Sequence, residues 1–163
     1  NSLSAKILRI NYKMMRKYGT LLLSLIIAVT CAAQSSDQEK EVQAAVRNFF
    51  AVLASRDSMA IKKVSASNIQ LIEYGTLWNM DTLLQKTVKT KVPADFSRTD
   101  SLVFLSTEVT GRSALAAYHL YSGITRNGSQ TKLHWIESIN LIYDEGRWKV
   151  LFLHSTLLNR SSQ

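Results

Sequence analysis

Short glycine turns cut the second half of this chain into a succession of β-forming runs, and this leaves few ways for it to fold. "LVFLSTEV", beginning at Leu102, is rich in strand formers. Thr110-Gly111-Arg112 turns the chain into "SALAAYHLYSGIT". Asn127-Gly128 is the strongest short hairpin signal a sequence carries, and the long run "SQTKLHWIESINLIY" follows it. Asp144-Glu145-Gly146 makes another turn, and "RWKVLFLHST" closes the set. Strands joined this tightly pair antiparallel.

The first half reads differently. Val42, Val46, Phe49, Phe50 and Leu53 recur at helical spacing and predict a helix over about 37–54, with Ser36 and Glu39 placed as a capping box. Phe49 and Phe50 are its structural anchors. Asp57 or Ser58 is positioned to cap a short second helix ending near Lys63. "NIQLIEYG" alternates as a strand ending at Gly75. Met80, Leu84 and Val88 restart helical spacing, and "KVPADFSRTDS", with Pro93, reads as a loop. Helices first and strands after predict an α+β domain, with N-terminal helices packed on one face of a strongly curved antiparallel sheet.

The net charge of +8 is unevenly spread. Residues 1–33 carry five basic residues and no acid, whereas residues 34–163 carry 15 basic and 12 acidic ones. No clustered basic face appears in that body, so nucleic acid is not an expected partner. The N-terminal excess belongs to an export signal. Arg16 and Lys17 precede the apolar run Leu21–Val29, and small residues from Thr30 to Ala33 follow. The run is shorter than the roughly 20 residues of a spanning helix, so the mature form is expected to have no membrane span. The expected organisation is an upstream segment over 1–13, a signal peptide over 14–33, a tether over 34–36, a folded domain over 37–158 and a tail over 159–163. The expected location is periplasmic or secreted. Cleavage after Ala33 is preferred to lipid attachment at Cys31, where Thr30 departs from the usual small residue. Cys31 is the only cysteine, so a chain cut after Ala33 has no disulfide and no thiolate chemistry.

This order of elements resembles the nuclear transport factor 2-like superfamily, particularly its small bacterial SnoaL-like members. More distantly it resembles the association domain of calcium/calmodulin-dependent kinase. The resemblance rests on "RNFFAVLASRD" in the opening helix, "IEYGT", "VTGRSALAAY", and Gly146 to Trp148 leading to His154. It covers about residues 37–157. It implies a cone-like domain whose bent sheet wraps a long helix and leaves a pocket at the open end. It also implies a homodimer formed through the outer sheet face. Family members include isomerases, cyclases, dehydratases, assembly modules and ligand binders, so three functions stand open: a small-molecule-binding or accessory domain, an isomerase or lyase using Glu137 or Glu73 as general base, and an assembly module with a filled pocket.

The candidate pocket residues are Glu73, Tyr74, Trp78, Tyr118, Trp135, Glu137 and His154. Glu137 shares a strand face with Trp135 and Ile139. If that face is inward, the carboxylate is desolvated and suited to proton transfer. If His134, Ile136, Ser138 and Asn140 line the core instead, Glu137 meets solvent. Glu73, Tyr74 and Trp78 flank the turn after the first strand, where aromatics with an acid suit a small apolar or amphipathic ligand; Trp78 is equally suited to plugging the core. Tyr118, His119 and Tyr121 divide between the two faces of their strand. His154 is expected at the pocket rim as a structural strand end, and Trp148 is expected to anchor that strand by burial. His119, His134 and His154 stand singly on different strands without helical ligand spacing, so no metal or cofactor is expected. In the last strand, simple alternation puts Leu151 and Leu153 on one side, with Val150 and Phe152 on the other.

Overall fold

Val42, Val46, Phe49, Phe50 and Leu53 form the buried side of helix α1, residues 37–55. The structure, a computed structural model, describes residues 37–162, so the export signal, the 34–36 tether and the Ser36 cap lie outside the described residues. Helix α1 stops at Arg56, which turns left-handed at φ 59°. The Arg56 guanidinium reaches the carbonyls of Val88, at 2.7 Å, and Thr90. Asp57 caps α2 (Ser58–Val64), its carboxylate accepting from the backbone N–H groups of Met59 and Ala60. Strand β1 (Ser65–Glu73) turns through Tyr74-Gly75 into the short β2 (Thr76–Trp78).

Asn79 then caps α3 (Met80–Leu84). The expected continuous helix through Val88 loosens after Leu84 into a π-helical turn, Gln85–Lys89. The Thr87 hydroxyl donates to the Leu83 carbonyl and that of Thr90 to the Gln85 carbonyl, and these bonds compete with the regular helical ladder.

Four long strands follow: β3 (Ser97–Thr110), β4 (Ser113–Arg126), β5 (Ser129–Asp144) and β6 (Arg147–Ser162). Asn127-Gly128 and Glu145-Gly146 each take positive φ at both turn positions, the geometry that matches the twist of a two-residue hairpin. The six strands lie in the order β2-β1-β6-β5-β4-β3.

Three expectations need correction. The sheet is mixed rather than wholly antiparallel, because β1 pairs parallel to β6; hairpin turns report neighbours in sequence and carry no signal for this distant pairing. The segment expected to be a loop becomes strand at Ser97, where Arg98 and Asp100 extend the alternation of Leu102 and Phe104. Residues 159–162, expected to be tail, complete β6 by pairing with His134 to Thr131 of β5.

Bulges bend the sheet. The register slips at Phe104/Ser106 between β3 and β4, and at two places between β5 and β6. One of these leaves Leu151 without a partner, since Leu141 pairs with Val150 and Asn140 with Phe152. Val150 and Leu153 therefore both face the core, where simple alternation had separated them.

From Glu39 onward the described residues form one unit, with α1 laid across the concave face. The Phe50 ring meets Tyr118 edge-on at 5.9 Å. Gln43 donates to the Thr107 hydroxyl, and Arg47 donates to the Leu102 carbonyl while lying over the Phe104 ring.

Candidate functional site

Alternation along β5 turns Trp135, Glu137 and Ile139 inward, at 7%, 5% and 0% exposure. That decides between the two readings of Glu137: its carboxyl is buried. The residue opposite it on β6 is Ser155, also buried. Ser155 is inward because of the Leu151 bulge. Were β6 to run through Leu151 without a bulge, the face holding Trp148 and Val150 would continue through Phe152 to His154. With it, Leu153 and Ser155 point inward, and His154 is exposed on the other face. The expectation that His154 closes the pocket rim is thereby corrected.

Ser155 Oγ lies 2.9 Å from Glu137 Oε1 and 2.9 Å from Glu73 Oε1, the latter at the end of β1. Tyr118, opposite Glu137 on β4, is fully buried, and neither its hydroxyl nor Glu137 Oε2 has a well-formed hydrogen bond. Burial pushes Glu137 up to about 7; the hydroxyls of Ser155 and Tyr118 oppose the rise, and the charge of Glu73 adds to it. Burial also raises Glu73, against the Ser155 hydroxyl and the charge of Arg98. The Tyr118 phenol is held well above its ordinary value by burial and by the neighbouring Glu137.

These acids sit in the wall of a cavity of about 280 Å³. Phe50, Leu71, Leu120 and Leu153 give it an apolar lining, with Trp78 and Trp135 as aromatic walls. Trp78 is half-buried, packs against the core cluster and also lines this space. Tyr74 is 65% exposed and meets Trp135 edge-on at 5.3 Å, so together with Lys86 and Arg126 it edges the mouth. Tyr118, expected among the lining residues, stands behind Glu137 in the core.

Arg98, Asp100, Ser122 and Ser155 escaped the sequence reading. Arg98 lines the cavity with its Nε on both oxygens of Asp100, at 3.1 and 2.8 Å, and Ser122 donates to the same carboxylate. The period-two pattern running back from Leu102 would have revealed Arg98 and Asp100. Ser155 had no such signal, because the bulge that turns it inward leaves no mark in the pattern.

The structure also joins two histidines that stand 15 positions apart. His134 Nε2 and His119 Nδ1 are 2.9 Å apart on the outer face, and Tyr121 stacks on His134 at 4.3 Å. Among the described residues no group of three or more His, Cys, Asp or Glu side chains is placed to hold a metal ion. No helix among them is long and apolar enough to cross a membrane.

No protein-family model matches the chain, and no curated protein matches it. Solved structures do. A nuclear transport factor 2-like superfamily protein from Salmonella enterica serovar Typhimurium superposes with a TM-score of 0.65 at 16% identity, covering 75% of this chain and 92% of that one. A ketosteroid isomerase-like protein from Erwinia carotovora atroseptica gives 0.62 at 13% identity, covering 75% and 97%. The association domain of Caenorhabditis elegans CaMKII gives 0.62 at 15% identity, covering 76% and 98%. Identities this low speak for architecture alone, and on architecture they agree: the chain has the nuclear transport factor 2-like fold, an α+β cone.

Proposed function

We propose that this chain is a small-molecule-binding domain that holds an apolar or amphipathic ligand in the cavity between Trp78, Trp135 and the Glu73–Glu137 pair. The observation that carries this reading is the cavity itself, about 280 Å³ with apolar walls and a few convergent polar groups. A dry cavity of about 150 Å³ already accepts benzene, so this one has room for a ligand of one ring or a short chain. A pure assembly module would fill that space with its own side chains. Toluene and 1-hexanol, titrated against the fluorescence of Trp78 and Trp135, should bind saturably. Ile124→Phe, which adds bulk to the cavity wall, should weaken both at least tenfold. A wild-type protein that saturates with neither probe overturns the reading.

An isomerase-type or lyase-type enzyme is the second reading. It is favoured by one observation: a buried carboxyl that titrates near neutrality in a cavity wall suits general acid–base work. The neighbour described as ketosteroid isomerase-like points the same way.

We also propose a homodimer formed through the outer sheet face, where Val103, Tyr121, Ile136 and Leu158 are exposed. The likeness to a CaMKII association domain supports assembly. Light scattering should return twice the monomer mass; a monomer at high micromolar concentration contradicts it. Export stands as a proposal resting on the 14–33 segment. Mass spectrometry of the native protein should place the mature N-terminus between Cys31 and Ser36, and an intact Met14 or Met15 terminus in the cytosol sinks it.

A further inference from the structure

A serine hydroxyl has one hydrogen to donate and lone pairs to accept with. Ser155 Oγ stands 2.9 Å from a carboxyl oxygen on each side. If Glu73 and Glu137 were both ionised, only one could receive the hydroxyl hydrogen. The other would press a charged oxygen against a lone pair in a buried place. If both were protonated, each could donate to a serine lone pair, and the serine's own hydrogen would find no acceptor on either side. A single carboxyl proton satisfies all three groups. Glu137 then donates through Oε1 to Ser155 Oγ, and Ser155 donates to Glu73 Oε1. The reverse arrangement exchanges with it by moving two hydrogens: the Glu137 O–H breaks as a Ser155 O–H forms, and the original Ser155 O–H breaks as a Glu73 O–H forms. Charge and atoms balance in both.

The surrounding charges select between the two arrangements. Glu137 is the more deeply buried acid, with Tyr118 of β4 beside it. Glu73 is half-buried, next to Tyr74 and within the field of Arg98 on β3 and of the outward-facing His154 on β6. Arg98 is already paired with Asp100. The proton therefore rests on Glu137 and the negative charge on Glu73, which lines the cavity. In either arrangement the bridging oxygens are taken, and each carboxyl oxygen left over is an acceptor.

Resting on the reading of the cone as a binding domain, we propose that Glu73, Ser155 and Glu137 hold one proton in common, and that this cluster selects ligands whose inner end donates a hydrogen bond. The ligand class is an alcohol or amine on a small apolar body, in preference to an ether or a carboxylate.

Two measurements test the two halves. Infrared spectroscopy at pH 6 should show a protonated-carboxyl C=O band that disappears in Glu137→Gln, whose amide can donate to Ser155 in the proton's place. A wild-type spectrum without that band overturns the shared proton. For selectivity, 1-hexanol and its isomer 1-methoxypentane differ only in the donor; hexylamine and hexanoate test the charge. In the wild type, 1-hexanol and hexylamine should each bind at least tenfold tighter than 1-methoxypentane and hexanoate. In Glu73→Leu the alcohol-to-ether ratio should fall to about one. Equal binding of alcohol and ether, or hexanoate binding tightest, overturns the donor rule even though the cavity binds. Failure of all four probes, with toluene also unbound, overturns the binding reading itself, and the infrared band still decides the shared proton.

Discussion

Glu137→Gln should be more stable than the wild type at pH 8 by about 3 kcal/mol, and about equal to it at pH 5. The Glu137 carboxyl moves from its ordinary 4.5 to about 7 on folding. Between those values the native state holds a proton that the unfolded chain has lost. Stability therefore falls as pH rises through that window, and the full cost is carried above pH 7. At about 1.4 kcal/mol per pH unit, the displacement corresponds to about 3 kcal/mol. The amide has no charge to desolvate, and it can still donate to Ser155 while Ser155 donates to Glu73. Denaturant melts of both proteins from pH 5 to 9 check this. Parallel curves across that range would mean that folding leaves the Glu137 carboxyl at its ordinary value.

Trp148→Ala should cost about 3–5 kcal/mol, the usual range for emptying a buried aromatic site. Total stabilities run at about 5–15 kcal/mol, so the variant will be marginal or unfolded at 37 °C. Trp148 is 8% exposed, stands edge-on to Tyr143 at 5.3 Å, and belongs to the same buried cluster as Val46 of α1 and Ile61 of α2. Its indole N–H is buried without a partner. Trp148→Phe keeps a ring and removes that unsatisfied donor, so it should cost less than half as much. Equilibrium unfolding followed by circular dichroism separates the two. A loss below about 1 kcal/mol for the alanine variant would show that β6 is held elsewhere.

The helices and hairpins were legible because each writes its own period and its own turn residues. Val42, Val46, Phe49 and Leu53 repeat at helical spacing, and Asn127-Gly128 marks its turn outright. The parallel pairing of β1 with β6 left no local trace, because it depends on how the finished sheet closes. The site divides the same way. Glu137 was recognisable as a carboxylate among apolar neighbours, and the structure turns that face inward. Glu73, Tyr74 and Trp78 were legible as a group around one turn. Arg98 and Asp100 were hidden by reading the segment around Pro93 as loop, although their alternation with Leu102 was present. Ser155 and His154 exchanged roles, since alternation counted from Trp148 gives His154 the inner place.

The bulge at Leu151 makes the identity of the group between the two glutamates a matter of backbone geometry. The bulge absorbs this residue: without Leu151, strict alternation from Val150 through Phe152 would still turn Leu153 and Ser155 inward, whereas a β6 that kept Leu151 but ran without the bulge would put His154 between the two glutamates. A single codon gained or lost at such a bulge can thus leave the inner chemistry of a cone unchanged while displacing every later residue number, which defeats any count along the strand. Column-by-column comparison between distant cones has the same weakness. When two sequences are laid together without a gap at this point, a buried serine is matched to a surface histidine, and any role carried across the match goes to the wrong face of the sheet.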